Sequence, residues 1–310
     1  MKAKKNCGIL LALTLLTFAV CVSSLLLIIE NIDFRNDKPF NDFNDNKLEI
    51  SSYLELGPVF IDGSAGGVGA HNWTWVESQS WFGGGDGSSS NPYIIENIEI
   101  DGGGVGNCFE IISSDVYFVI RNCNFYNSGT EGYNAGLRLS YASNGVITDS
   151  IFSNNGYNGI YMSDCANNTI SGNKMNKNTY FREDTSQQLG HGILLSKSNN
   201  NTILENTMSF NAYAGICLRI YSNYNDILYN EGYKNIDRGL FLEASSYNNI
   251  IGNKFCGSIL NYNELGGDGN NLEDNTFECE SPKPGIPGYS LFIIGLIIAI
   301  SMILIKKKLK

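Results

Sequence analysis

Apolar side chains in the middle of this chain come in short bursts at alternate positions. In Gly136-Leu-Arg-Leu-Ser, Gly159-Ile-Tyr-Met-Ser, Gly192-Ile-Leu-Leu-Ser and Gly239-Leu-Phe-Leu-Glu, residues two apart face one way and the residue between them the other. That is strand patterning. A branched residue follows the glycines at Ile147, Ile170, Ile203, Ile227 and Ile250, 11 residues on in every case but one, where it is 12. Five residues further sits Phe152, Met175, Met208 or Phe255. Few alanines and no uninterrupted 3.6-residue periodicity outside the termini exclude helical repeats.

The bursts belong to units that nearly copy one another: NNTISGNKM from Asn167, NNTILENTM from Asn200, YNNIIGNKF from Tyr247 and GNNLEDNTF from Gly269. A fixed period near 23 residues marks a solenoid, whose units bury their apolar side only by stacking. From the last apolar column to the next glycine the gaps are 11 (from Phe125), 7, 17, 7 and 7. All length variation is therefore predicted at one turn, on one edge. Leucine-rich repeats share the period, but here the asparagine stands three after an isoleucine and two before Phe or Met, which suits a parallel β-helix. Stacked at the strand spacing of about 4.8 Å, the column Asn173, Asn206, Asn230, Asn253 and Asn275 is expected to form an amide ladder. Cys123 and Ser150 occupy its early positions. A second column, Asn155, Asn178, Asn211 and Asn235, is expected to do the same at the next corner.

On these repeats the chain resembles the right-handed parallel β-helix repeat family, which includes NosD-like proteins and carbohydrate-binding and sugar-hydrolase β-helix proteins. The segment GDGSSSNPYIIENIEIDG (85–102) resembles the lead-in to the first coil of that family. The resemblance implies an all-β, right-handed single-stranded parallel β-helix of about seven or eight coils. It also implies an elongated sugar-facing surface, in some members with lyase, hydrolase or epimerase chemistry.

The ends of the chain suggest where this domain works. Residues 1–29 carry Lys2, Lys4 and Lys5 and then an uncharged apolar run from Gly8 to Ile29, which reads as a signal peptide or signal anchor. Residues 30–56, rich in Asn and Asp, read as a disordered linker. Residues 57–91, with Trp73, Trp75 and Trp81, read as an N-terminal cap with a short helical lid over the solenoid end. The β-helix is expected over 92–280, a Pro/Gly linker over 281–288, a transmembrane helix over 289–305 and a basic cytoplasmic tail over 306–310. The tail's lysines place both termini inside and the repeats outside, at the cell surface. The Pro/Gly stretch, apolar run and basic tail resemble the C-terminal sorting signals of archaeal surface proteins, although Tyr289 departs from their Pro-Gly-Phe form. A permanent anchor is the preferred reading.

Formal charge is −10. Seven lysines belong to the two ends, which leaves 14 basic against 31 acidic residues outside, or −17. Such a surface repels nucleic acid and anionic lipid. Glycans or surface proteins are the expected partners, no cofactor is implied, and calcium is the one cation left open. With only His71 and His191, and no cysteine pair at metal-ligand spacing, no metal site is expected. Cys256 and Cys279 lie 23 residues apart, one coil, and are the disulfide candidate of an exported chain. Asn72, Asn167 and Asn200 begin glycosylation sequons.

The two long turns, 128–134 and 178–190, lie two coils apart and are expected to wall a cleft floored by 153–158. The ligand-binding candidates there are Glu131, Tyr133, Tyr157, Tyr161 and Tyr180. Arg182, Glu183, Asp184 and His191 are the catalytic candidates, without forming a recognisable constellation. An outward stripe, Glu110, Arg138, Tyr161, Leu194, Cys217 and Phe241, runs beside the cleft. Its single carboxylate favours a binding module over a polysaccharide lyase, hydrolase or epimerase, which remains the alternative.

Overall fold

The computed structural model describes residues 53–182 and 187–278. They form an all-β parallel solenoid of about 7 turns. One side is an eight-stranded parallel sheet in chain order: Val59–Asp62, Phe109–Ser114, Ala135–Ala142, Asn158–Ser163, His191–Ser196, Ala214–Arg219, Arg238–Glu243 and Leu260–Leu265. A second side runs from Tyr93–Glu96 through Gly145–Thr148 and Thr202–Leu204 to Asn271–Glu273, with Phe82–Gly84 added antiparallel at its start. The third side consists of two short sheets, of three and four strands, joined through bridges at Ile151.

Register follows the columns of the sequence. Ile120, Ile147, Ile170, Ile203, Ile227 and Ile250 stand directly over one another, as do Met175 and Met208. All have zero exposure. The stack forms one continuous core with Phe109, Phe125, Phe152 and Phe255. The strands are short because each must turn after a few residues to enclose this narrow interior.

The corners are where buried polar groups gather, and asparagine meets their demand. Asn173 donates from Nδ2 to Asn206 Oδ1 (3.1 Å), Asn206 to Asn230 (3.0 Å), Asn230 to Asn253 (3.0 Å) and Asn253 to Asn275 (3.0 Å). Each Oδ1 also accepts the backbone N–H of the asparagine one coil earlier. Both lone pairs and both amide protons are thus used. The second ladder joins Asn178 to Asn211 (2.9 Å) and Asn211 to Asn235 (2.8 Å). A third ladder, Asn168, Asn201, Asn225, Asn248 and Asn270, was not anticipated. Asn168 and Asn201 are the second asparagines of the Asn-Asn-Thr motifs, while Asn167 and Asn200 stand exposed beside them with left-handed backbone, φ 57° and 56°.

The stretch expected to be linker is already ordered at Leu54–Leu56, which pairs in parallel with Ile98–Asp101. Strands also begin before residue 92, at Val59–Asp62 and Phe82–Gly84. A five-residue helix, Trp73–Glu77, buries Trp73 and Val76, and Trp73 Nε1 donates to Ser114 Oγ at 2.9 Å. Asn72 caps that helix: its Oδ1 accepts from Trp75 N–H and its Nδ2 donates to the Ala65 carbonyl. A glycan on Asn72 would replace one of the two hydrogens of the Nδ2 that makes the second bond.

Among the described residues no helix is long and apolar enough to cross a membrane. The apolar runs 8–29 and 289–305 lie outside the described residues. Cys108, Cys123, Cys165 and Cys217 are free and buried. Cys256 is disulfide-bonded, and Cys279 lies outside the described residues.

Candidate functional site

The strand after each repeating glycine puts two residues inward and one outward. On the eight-stranded sheet the outward positions Glu110, Arg138, Tyr161, Leu194, Cys217, Phe241 and Asn263 lie in register. Arg138 and Glu110 pair at 3.4 Å. The middle of the stripe is not exposed: Tyr161, Leu194, Cys217 and Phe241 form a second apolar cluster with Ala135 and Ala214, outside the solenoid core.

A wall of rings packs along this cluster, and a hairpin follows it in the chain. Tyr133 stacks on Tyr161 (5.4 Å) and meets Tyr157 edge-on (5.6 Å). Tyr157 lies 6.5 Å from His191, His191 5.2 Å from Tyr213, and Tyr213 6.3 Å from Phe241. The long turn after Asn178 is an antiparallel hairpin, Tyr180–Arg182 with Gln187–Leu189. It closes at Gly190, where φ is 135° and an added Cβ would meet the Asn178 carbonyl at 2.4 Å. Only glycine lets the chain rejoin the coil there.

Beyond the hairpin lies a cavity of about 570 Å³, lined among others by Tyr157, Leu189, His191, Tyr213, Arg238 and Phe241. Arg238 is fixed from several sides. Its guanidinium sits 4.3 Å from the Phe241 ring and 4.8 Å from the Tyr213 ring, pairs with Asp237, and donates from Nε to Asn263. Arg219 and Glu243, cross-strand neighbours 3.4 Å apart, occupy the floor. Burial, reinforced by Arg219 and Arg238, pulls the His191 imidazole down to about 3, so it is neutral. Asn158 Oδ1 lies 2.9 Å from its Nδ1. The Asn158 amide points at the carbonyls of Tyr133 and Asn134, so Nδ1 carries the proton and Nε2 is left as an acceptor. The Cys217 thiol, also lining the cavity, is pushed up to about 12 by burial and stays protonated.

The structure shows a concavity of about 520 Å³ at the expected cleft, lined by Ser128 and Thr130 of the first turn, Asn154, Asn155 and Gly156 of the floor, and Thr179 of the second turn. Tyr133, Tyr157, Tyr161 and His191 come together as a wall of rings, and the cavity that holds Tyr213 and Arg238 is a second one, on the far side of the hairpin from 128–134. Glu131 is exposed and away from the cavity lining. Tyr180 and Arg182 belong to the hairpin, and Glu183 and Asp184 lie outside the described residues. Tyr213, Arg219, Asp237, Arg238 and Glu243 were missed. A signal for them existed: Arg238 precedes a repeating glycine as His191 does, and Arg219 and Glu243 break the column Ser140, Ser163, Ser196.

A family described as periplasmic copper-binding protein (NosD) matches residues 86–283. The chain belongs to the NosD family. Periplasmic is that family's description, in agreement with a domain outside the cytoplasm. No curated protein matches this NosD chain. Similar solved structures include an alginate lyase from Paenibacillus sp. str. FPU-7, 12% identical over 61% of this chain and 85% of that one, TM-score 0.30. DFA-IIIase from Arthrobacter chlorophenolicus A6 without its lid is 11% identical over 74% and 69%, TM-score 0.33. The periplasmic alginate epimerase AlgG is 14% identical over 71% and 69%, TM-score 0.26. None of these likenesses bears on the chemistry of this chain.

Copper, which the family description implies, does not fit the described residues of this NosD chain. The sequence has two histidines: His71 stacks face-on against Trp75 at 4.3 Å, and His191 is occupied at Nδ1. Among the described residues no three His, Cys, Asp or Glu side chains converge. A copper centre needs imidazole or thiolate donors gathered at one point.

Proposed function

We propose that this NosD chain is a surface-exposed solenoid that binds carbohydrate in the cavity beside the 178–190 hairpin, tethered to the membrane through its terminal apolar runs. The carrying observation is Arg238, held within 4.8 Å of the Tyr213 ring centroid and 4.3 Å of the Phe241 ring centroid at the cavity wall. Aromatic faces receive the apolar side of a sugar ring, and fixed guanidinium, carboxylate and imidazole groups hydrogen-bond its hydroxyls. The strongly acidic exterior leaves nucleic acid a poor partner. Catalysis by a lyase, hydrolase or epimerase route is the weaker reading. Asp237 and Glu243 are tied to Arg238 and Arg219, and neutral His191 is a poor base.

The full chain, screened on a panel of neutral and acidic glycans and then titrated calorimetrically, tests this. Arg238→Ala with Tyr213→Ala is expected to weaken the best ligand at least about tenfold. Undiminished binding by that double variant sinks the assignment of the site, and new reducing ends or unsaturated products would restore the enzymatic reading.

A further inference from the structure

We infer that Asn167 and Asn200 carry N-linked glycans and that the first sugar on Asn200 rests against the Tyr224 ring. This is independent of the cavity and needs only a domain outside the cytoplasm, as the periplasmic description of the family has it. Both residues open an Asn-Asn-Thr triplet, the Asn-x-Thr pattern of a glycan acceptor. The coil treats the two asparagines of each triplet oppositely. Asn168 and Asn201 are sealed into the third ladder at 1% exposure each, while Asn167 and Asn200 take the left-handed corner position and stand in solvent. Asparagine accepts that conformation more readily than most residues.

Comparable asparagines are committed elsewhere. Asn144, one coil before Asn167 in the same corner column, donates from Nδ2 to the Asp115 carbonyl at 2.7 Å and opens no sequon. Asn72 does open one, but its Oδ1 caps the Trp73–Glu77 helix and its Nδ2 donates to the Ala65 carbonyl at 2.9 Å. A sugar on that nitrogen would compete with the Ala65 contact for its flank. The fold thus offers room at two of the three sequons.

The corner column continues from Asn167 and Asn200 into Tyr224 and Tyr247, with φ 57°, 56°, 58° and 56°. Successive members stand about 4.8 Å apart. The Tyr247 ring lies over Gly269 of the following coil, where an added Cβ would meet its Cδ1 at 2.7 Å, and Tyr224 stacks on Tyr247 at 5.2 Å with the planes 8° apart. One face of Tyr224 is used in that stack. The other is turned toward the coil of Asn200, and Tyr224 is 57% exposed. The apolar side of a sugar ring suits such a face.

The donor is a lipid-phosphate-linked oligosaccharide. Asn Nδ2 bonds to its anomeric carbon, the bond from that carbon to the phosphate oxygen breaks, and the amide gives up one proton as the lipid phosphate leaves. In the finished coil the middle asparagine of each triplet is buried, and Thr169 and Thr202 are fixed in strands. Transfer therefore precedes closure of the coil.

The full chain, purified from the cells that naturally make it, is digested and its glycopeptides are read by mass spectrometry. Glycan is expected on Asn167 and Asn200 and none on Asn72. Bare Asn167 and Asn200 overturn the inference, and equal occupancy of Asn72 overturns selection by the fold. The Tyr224 contact is tested with Thr202→Val, which removes the acceptor pattern but leaves Asn200 in its turn, against Thr202→Ser, which keeps the pattern. Secreted from a host that N-glycosylates, Thr202→Val should lose one glycan and melt roughly 2–4 °C lower than Thr202→Ser, after subtraction of the same difference from a host without N-glycosylation. Adding Tyr224→Ala should abolish that difference. A difference that survives without the Tyr224 ring, or none with it, overturns the packing of the sugar on Tyr224.

Discussion

The two faces of the eight-stranded sheet are made by the same strands and obey different rules. Inward, Ile160, Met162, Ile193, Leu195, Ile216, Leu218, Leu240 and Leu242 are interchangeable aliphatic side chains with zero exposure. Outward, the positions run from Phe60, 42% exposed, through a charged pair to a sealed apolar middle. The interior is set by the repeat, because every coil presents the same cross-section to the next. The exterior is set locally, by whatever the one variable corner lays over it. Function in a solenoid is therefore to be sought where outward residues are buried, not where inward ones are.

The repeat-set half of this contrast is tested hardest at Asn206. Its Oδ1 serves Asn173, and its Nδ2 serves the Ile170 carbonyl and Asn230. Asn206→Leu orphans several buried groups at about 1–3 kcal/mol each. A loss of roughly 4 kcal/mol or more is expected by urea denaturation. A change under about 1 kcal/mol would show that the ladder is not what holds the corners.

Leu195 and Leu194 are chain neighbours on opposite faces. Leu195→Ala is expected to cost ~2–5 kcal/mol, and Leu194→Ala at least ~2 kcal/mol if the outer cluster is a genuine second core. An outer cost below about 0.5 kcal/mol would mean that the cover is loose and the contrast between the faces is the ordinary one of inside and outside.

His191 gives a graded readout of the same cover. Its folded value near 3 lies below the ordinary 6.5, so below pH 6.5 the unfolded chain binds a proton that the folded chain refuses. The His191 contribution is complete above pH 6.5 and is lost as pH falls toward 3, by up to ~1.4 kcal/mol per pH unit. Comparing the chain with His191→Gln between pH 6.5 and 5, above the carboxylate range, should show the slope shrink in the variant. Equal slopes would place the imidazole in contact with water.

Phe60→Ala, at the exposed start of the stripe, should change stability by no more than about 0.5 kcal/mol. A larger cost would extend the cover to the first coil.

The interior was legible because a solenoid writes each contact many times. Ile147 predicts Ile170, and Asn173 predicts Asn206, since one coil is the template of the next. The third ladder escaped for a different reason. In Asn167-Asn168-Thr169 the two asparagines are chemically identical, and only the turn of the backbone decides that Asn168 goes in and Asn167 out. The site was half legible. The sequence marks where the chain leaves the coil, between Asn178 and Gly190, and a concavity is present at the cleft expected there, but it does not mark the second cavity, around Tyr213 and Arg238. Arg238 occurs once in its column, so no repetition announced it, whereas Tyr213 repeats Tyr157, two residues before a glycine, and could have been read.

Every amide in the ladders passes its hydrogen bonds along the axis in the same sense, from one lap to an identical partner in the next. A lap is thus a module with matching plugs at both ends. Such a molecule can lengthen or shorten by whole laps through duplication or loss of one gene segment, with no renegotiation of its interior, while the single permissive corner tries out new loops.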